Sequence, residues 1–163
     1  MLQKTPTSLS QGLRKMDLME LAPKSEDIKV ELTYPINTND FDLDDPESFK
    51  PKPITNEDGE QAYITIYSPY SKEYKDVEYQ IKDRRISKAR KAAKEGKPFD
   101  IGVKEQEQEE LELIASVTKD WNISIDGKTD VNKENALDVY TKVPYIYGLV
   151  LSERNDYLNF IKL

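Results

Sequence analysis

The chain has no cysteine and no histidine among its 163 residues. The first absence excludes disulfides, thiolate nucleophiles and sulfur-ligated metal sites. The second removes the commonest general base and metal ligand near neutral pH, so Ser-His-Asp and Cys-His arrangements cannot be assembled from this chain. Long apolar runs are missing too, and no stretch approaches the roughly 18 residues that a membrane span needs. The first six residues, Met1 to Pro6, do not form the apolar run of a secretory leader, so the expected compartment is a cytoplasm.

Positive charge is the minority, with 24 Lys and Arg against 31 Asp and Glu and a formal net charge of -7. That balance argues against bulk binding to nucleic acid or to anionic lipid, both of which need net positive surface. Hydrophobic residues make up 37% and charged residues 34%, an apolar share below the globular average. Ten Tyr, four Phe and many Leu, Ile and Val still supply a core. The deficit implies that part of the chain is poorly covered, or covered only by a partner. The length suits one ordinary domain, or a smaller core carrying an extended arm.

Residues 1–26 read as an arm with a short amphipathic helix. Ser8 or Ser10 caps it, Leu13, Met16, Leu18, Met19 and Leu21 form its apolar side, and Pro23 ends it, with Gly12 counting against the assignment. Such a helix either docks on the domain or binds another subunit. Residues 27–163 read as a single domain. Within it, 27–33 alternate as a half-buried strand, with Ile28, Val30 and Leu32 on one face and Lys29 and Glu31 on the other, until Pro35 limits it.

Between 37 and 59 the composition shifts. Asp40, Asp42, Asp44, Asp45 and Glu47 sit among Pro46, Pro51 and Pro53, which favours an extended acidic loop that is either functional or disordered. Asp40, Asp42 and Asp44 match the first three ligand positions of a calcium loop. Asp45, however, stands where the turn glycine belongs, and Glu47 comes too early for the closing glutamate, so calcium is disfavoured.

Asp58-Gly59 signals a hairpin turn, and 62–67 is a β-branched and aromatic strand suited to pair antiparallel with 28–32. A helix follows over 71–94, with Tyr70, Tyr74, Val77 and Ile81 as a stripe at helical spacing. Its second half is basic: Lys82, Arg84, Arg85, Lys88, Arg90, Lys91, Lys94 and Lys97 face only Asp83 and Glu95. The bland reading is a solvated face balanced by acids elsewhere; the functional one is a docking surface for an acidic partner. Nucleic acid is disfavoured, because no aromatic residues interleave with the cations.

After Gly96 and Pro98 a second helix is expected over 104–119, opened by Glu105, Glu107, Glu109 and Glu110 and continuing through Leu111, Ile114, Ala115 and Thr118. An antiparallel pair of these helices would bring the basic and acidic runs together. Residues 111–163 read as a C-terminal helical unit. It comprises a helix, a strand led by Trp121 with Ile123 and Ile125 on the same face, an Asp126-Gly127 turn and two helices. The first of the two is capped by Asn132, with Ala136, Val139, Tyr140 and Val143 inward. The second opens at Pro144, with Ile146, Leu149, Val150, Tyr157, Phe160 and Ile161 inward. The fold class is α+β: mainly helical, with a small antiparallel sheet and a long acidic, proline-containing loop.

The order of Leu113-Ile114-Ala115, Trp121-Asn122-Ile123, Asp126-Gly127-Lys128, Glu134-Asn135-Ala136, Val139-Tyr140-Thr141, Pro144-Tyr145-Ile146, Asn155-Asp156 and Asn159-Phe160 resembles the tail assembly chaperones of long-tailed bacteriophages and prophages. Ile64-Thr65-Ile66 and Ser71-Lys72-Glu73-Tyr74 extend the likeness back to about residue 61. The arm and the acidic loop are longer than the family pattern, and Tyr145 stands where tryptophan is more usual. The resemblance implies a non-enzymatic protein without cofactor or metal that holds the tape-measure protein and recruits tail-tube subunits in the host bacterial cytoplasm. A homo-oligomer is a further partner class. Neither nucleic acid nor membrane is expected as a partner. The candidate partner-binding residues are Arg84, Arg85, Lys88, Arg90 and Lys91 on the basic helix, with the large side chains Trp121, Tyr140, Tyr145 and Phe160. For Trp121, Tyr140 and Phe160 the first reading is core and the partner contact is the second. The alternative function is a structural protein of tail or head–neck that stays in the virion; a carboxylate hydrolase would need two acids converging in a pocket.

Overall fold

A computed structural model of the chain describes residues 26–159. The arm helix expected over 1–26, and Phe160 and Ile161, therefore lie outside the described residues apart from Glu26. The fold is α+β. Its strands are β1 (Ile28–Glu31), β2 (Tyr63–Ile66) and β3 (Thr118–Trp121); its helices are α1 (Lys72–Lys94), α2 (Val103–Ser116), α3 (Lys133–Lys142) and α4 (Pro144–Asn159).

The sheet has the order β1-β2-β3 and both pairings are antiparallel. As the alternation of 27–33 predicts, Ile28, Val30 and Leu32 are buried while Lys29 and Glu31 are exposed, and β1 pairs with β2 through Val30 opposite Ile64. One sheet face is apolar, and α2, α3 and α4 cover it: Ile114, Val139, Tyr140 and Val150 share a single core cluster with the strands. The other face meets solvent, as antiparallel sheets allow. There Lys29 sits 4.4 Å from the Tyr63 ring centroid, and Lys119 pairs with Asp27 at 2.6 Å.

The third strand departs from expectation. It ends at Trp121 rather than beginning there, and the helix expected to reach 119 stops at Ser116. A bulge explains why the pattern misled. Trp121 opposes Ile64 and Asp120 opposes Thr65, but Thr118 opposes Ile66, so Lys119 is an extra residue. Lys119 and Asp120 both face out, the period of two is lost, and Thr118 and Trp121 are the inward residues. Beyond Trp121, Asn122 finishes the ladder with its side chain. Its Oδ1 accepts from the Tyr63 amide at 2.8 Å and its Nδ2 donates to the Gln61 carbonyl at 2.9 Å.

Two turns behave as their sequences predict. Asp126 and Gly127 have φ of 50° and 76°, and the amides and carbonyls of Ile125 and Lys128 exchange two bonds of 2.9 Å, the two-residue hairpin that Asp-Gly favours. Asn56 accepts from the amides of Asp58 and Glu60 to hold the turn ending at Gly59. The acidic loop is narrower and more ordered than an extended segment. Pro53 bridges to Thr33, and Ile54 joins the sheet margin through Leu32 and Ala62. Thr38–Asp40 and Pro46–Phe49 form short 3-10 turns capped by the side chains of Asn37 and Asp45. Asn and Asp side chains bonding their own backbone supply this local order.

Helix ends follow the chemistry of their residues. Ser71 caps α1 by accepting from the Tyr74 amide at 3.2 Å, and Asn132 caps α3 by accepting from Asn135 at 2.8 Å. At the other end of α1, Gly96 takes φ 67° while Lys97 donates to Ala92 and Gly96 to Ala93, a Schellman stop. Val143, expected on the buried stripe, instead follows the last residue of α3 and is 37% exposed, because α3 stops at Lys142 before Pro144 opens α4.

Candidate functional site

The two longest charged runs come together as an antiparallel hairpin of α1 and α2. Arg84 reaches Glu112 with two bonds, Nη1 to Oε1 at 3.2 Å and Nη2 to Oε2 at 2.6 Å. The next residue, Arg85, pairs with Glu109, and one turn on Lys88 pairs with Glu105 at 2.7 Å. Rising numbers on α1 meet falling numbers on α2, the antiparallel arrangement the charge runs predicted. Lys133, from the start of α3, adds a second cation on Glu112 at 2.8 Å. The Arg84 bond, reinforced by the one from Lys133, holds the Glu112 carboxyl down at about 2, against a desolvation that alone would raise it.

The hairpin has a base and a tip. At the base Tyr74, Ile81, Ile114 and Ala115 are buried, and Arg154 of α4 lies 8% exposed between α1 and α2. Its guanidinium donates to the Tyr74 hydroxyl at 3.3 Å and pairs with Glu110. From 86 to 108 no residue is buried. The 23-residue α1, about 35 Å long at 1.5 Å per residue, thus continues past the core. The part of the hairpin beyond the core exposes Ile86 of α1, Phe99 of the connection and Val103 of α2 at 49%, 40% and 73%.

The candidate residues separate on this frame. Arg84, Arg85 and Lys88 are engaged within the chain, so the bland reading of the basic helix holds for them. Arg90 and Lys91 are exposed, and no ion pair holds either among the described residues. Trp121 and Tyr140 are core, 6% and 2% exposed, rather than free anchors. The indole Nε1 of Trp121 donates to the Thr129 carbonyl at 2.9 Å, and the Tyr140 hydroxyl shares a 2.7 Å hydrogen bond with Thr118. Burial pushes the Tyr140 hydroxyl up to about 12. Tyr145 stands at the exposed start of α4 at 36%. Phe160 lies outside the described residues.

Sequence reasoning missed Arg154 and Asn122. Arg154 had a signal: it falls four residues after Val150 and three before Tyr157, on the inward face of α4. Asn122 had none, since its role depends on the bulge that precedes it.

Among the described residues no group of three carboxylates converges as a metal site. In the loop, Asp42 and Asp45 accept from the amides of Asp44 and Glu47 at 3.0 Å, so these carboxylates hold the turns. A cleft of about 520 Å³ lies between the 56–60 turn and the 121–129 segment, floored by Ala62 and Trp121 and rimmed by Glu57, Asp58 and Glu60. Among the described residues no helix is long and apolar enough to cross a membrane. No known protein family, curated protein or solved structure matches the chain.

Proposed function

We propose that this chain is a tail assembly chaperone of a long-tailed phage, a non-enzymatic protein that binds the tape-measure protein and recruits tail-tube subunits in the host cytoplasm. The observation that carries the reading is the part of the α1–α2 hairpin beyond the core, where Ile86, Phe99 and Val103 are exposed and Arg90 and Lys91 hold no ion pair among the described residues. A holding protein needs a surface that is apolar enough to cover a client and charged enough to stay soluble without one. The motif order from Leu113 to Asn159 supports the same assignment by resemblance.

Co-expression with the tape-measure protein of the phage or prophage that carries the gene tests this. The soluble fraction of that client is expected to rise several-fold with the intact chain. An unchanged client solubility overturns the assignment.

A second reading is a structural tail or head–neck protein that stays in the particle. It is favoured by a second exposed surface, the acidic loop, where Leu43 is 90% exposed beside the stacked Phe41 and Phe49. Mass spectrometry of purified virions separates the two, because a chaperone is missing from mature particles and a structural subunit is present in many copies.

A further inference from the structure

The hairpin tip and the acidic loop are opposite in charge and alike in their exposed apolar residues. Residues 86–104 carry six cations, Lys88, Arg90, Lys91, Lys94, Lys97 and Lys104, against Glu95 and Asp100. Lys88 and Lys97 pair with Glu105 and Glu95, and Arg90, Lys91, Lys94 and Lys104 hold no ion pair among the described residues. Residues 37–49 carry Asp40, Asp42, Asp44, Asp45 and Glu47 and no cation. Lys50 answers Glu47, while the four aspartates meet no cation among the described residues.

The apolar components also match in number. Phe41, Leu43 and Phe49 are exposed on the loop, as Ile86, Phe99 and Val103 are on the tip. The loop presents its set in a fixed shape. Phe41 and Phe49 stack with centroids 4.8 Å apart, and the Ser48 hydroxyl donates to the carbonyls of Asp42 at 2.9 Å and Asp45 at 2.7 Å. A prearranged surface loses little conformational freedom when it is covered.

We propose that these are the two halves of one interface, with the acidic loop of one copy seated on the basic hairpin tip of a second copy. The proposal does not need the tail-assembly reading, but it uses the same tip, so a client and a second copy would compete for it. Each copy carries one of each half, so the contact is head-to-tail: it closes into a ring, a reciprocal dimer or an open chain according to the angle between the halves. The charges set orientation and salt dependence, and the apolar residues supply the part of the affinity that salt does not screen.

Sedimentation of the full chain at low salt and rising protein concentration tests this. The parent chain is expected to associate, and to do so less as salt rises from about 0.05 M to about 0.5 M, where the Debye length falls from ~14 Å to ~4 Å. The tip variant R90E/K91E/K94E and the loop variant D40K/D44K, which spares the turn-holding Asp42 and Asp45, should each bind their own kind at least about tenfold more weakly. Unchanged circular dichroism and melting temperature confirm that both fold. Mixing the two variants should bring association back, because each retains the half the other has lost. A parent chain that is monomeric throughout overturns the proposal. So do variants that associate like the parent, a mixture no more associated than its components, and an association lost only on deletion of residues 1–25.

Discussion

The base and the tip of the α1–α2 hairpin are built from the same two helices and held by different forces. At the base Ile81, Ile114 and Ala115 are buried and Arg154 ties α4 to Tyr74 and Glu110. Toward the tip the side-chain bonds between the two helices, among the described residues, are those of Arg84, Arg85 and Lys88 to Glu112, Glu109 and Glu105. Apolar burial contributes several kcal/mol per large side chain, whereas half-exposed ion pairs contribute about 0 to 1. The base therefore belongs to the global fold, while the tip opens locally at much lower cost. The difference also sorts the cations: Arg84, Arg85 and Lys88 are engaged with α2, while Arg90, Lys91 and Lys94 hold no ion pair among the described residues.

The comparison breaks most readily at Ile114. Replacing this fully buried residue by Ala should cost about 2–5 kcal/mol in chemical denaturation, because a cavity opens beneath the sheet. A loss under about 1 kcal/mol would mean that the base is not the anchor described here.

A smaller effect is expected at the ladder. Arg84→Ala should lower global stability by only about 0.2–1 kcal/mol while speeding hydrogen exchange of amides in 84–112 more than in the sheet. Acid should act in the same place. Glu112 is held at about 2 in the fold against an ordinary 4.5, so its contribution is complete above about 4.5 and is lost as pH falls from there through about 2. In Arg84→Ala this acid-labile part should shrink; an unchanged acid profile would assign it to another carboxylate.

The smallest effect belongs to Lys91→Ala, expected within about ±0.5 kcal/mol of the parent in thermal unfolding. A larger loss would show that the tip is bound to the body, contrary to the division drawn above.

Much of this fold was legible in the chain. Strands β1 and β2 declared themselves because each has one buried face and a period of two. Helix α1 was read over 71–94 from its apolar stripe and the break at Gly96 and Pro98, while its Ser71 cap emerged only in the structure. The pairing of α1 with α2 followed from two complementary charge runs across a short break. Strand β3 was misplaced because Lys119 is inserted at a bulge, so Lys119 and Asp120 point the same way. The loop was read as extended because its order comes from side chains bonding nearby backbone, which has no periodicity to detect. Of the candidate site, the basic run was found, but its division between Lys88 and Arg90 depends on where α2 begins opposite it. Trp121 and Tyr140 are large enough to serve as anchors, and only their burial assigns them to the core.

The carboxamide of Asn122 stands in for a further strand residue, offering Tyr63 an acceptor and Gln61 a donor where β3 has already turned away. The last rung of the central strand is thus closed at the Tyr63 amide by a side chain and at the Tyr63 carbonyl by the Asn122 main-chain N–H at 3.4 Å. A foreign extended segment finds no vacant amide or carbonyl there to zip onto, so the sheet is stoppered at the end where Trp121 leaves it. Strand addition at this rung is accordingly blocked, and an interface of the kind proposed above would be made by side chains on the hairpin and the loop.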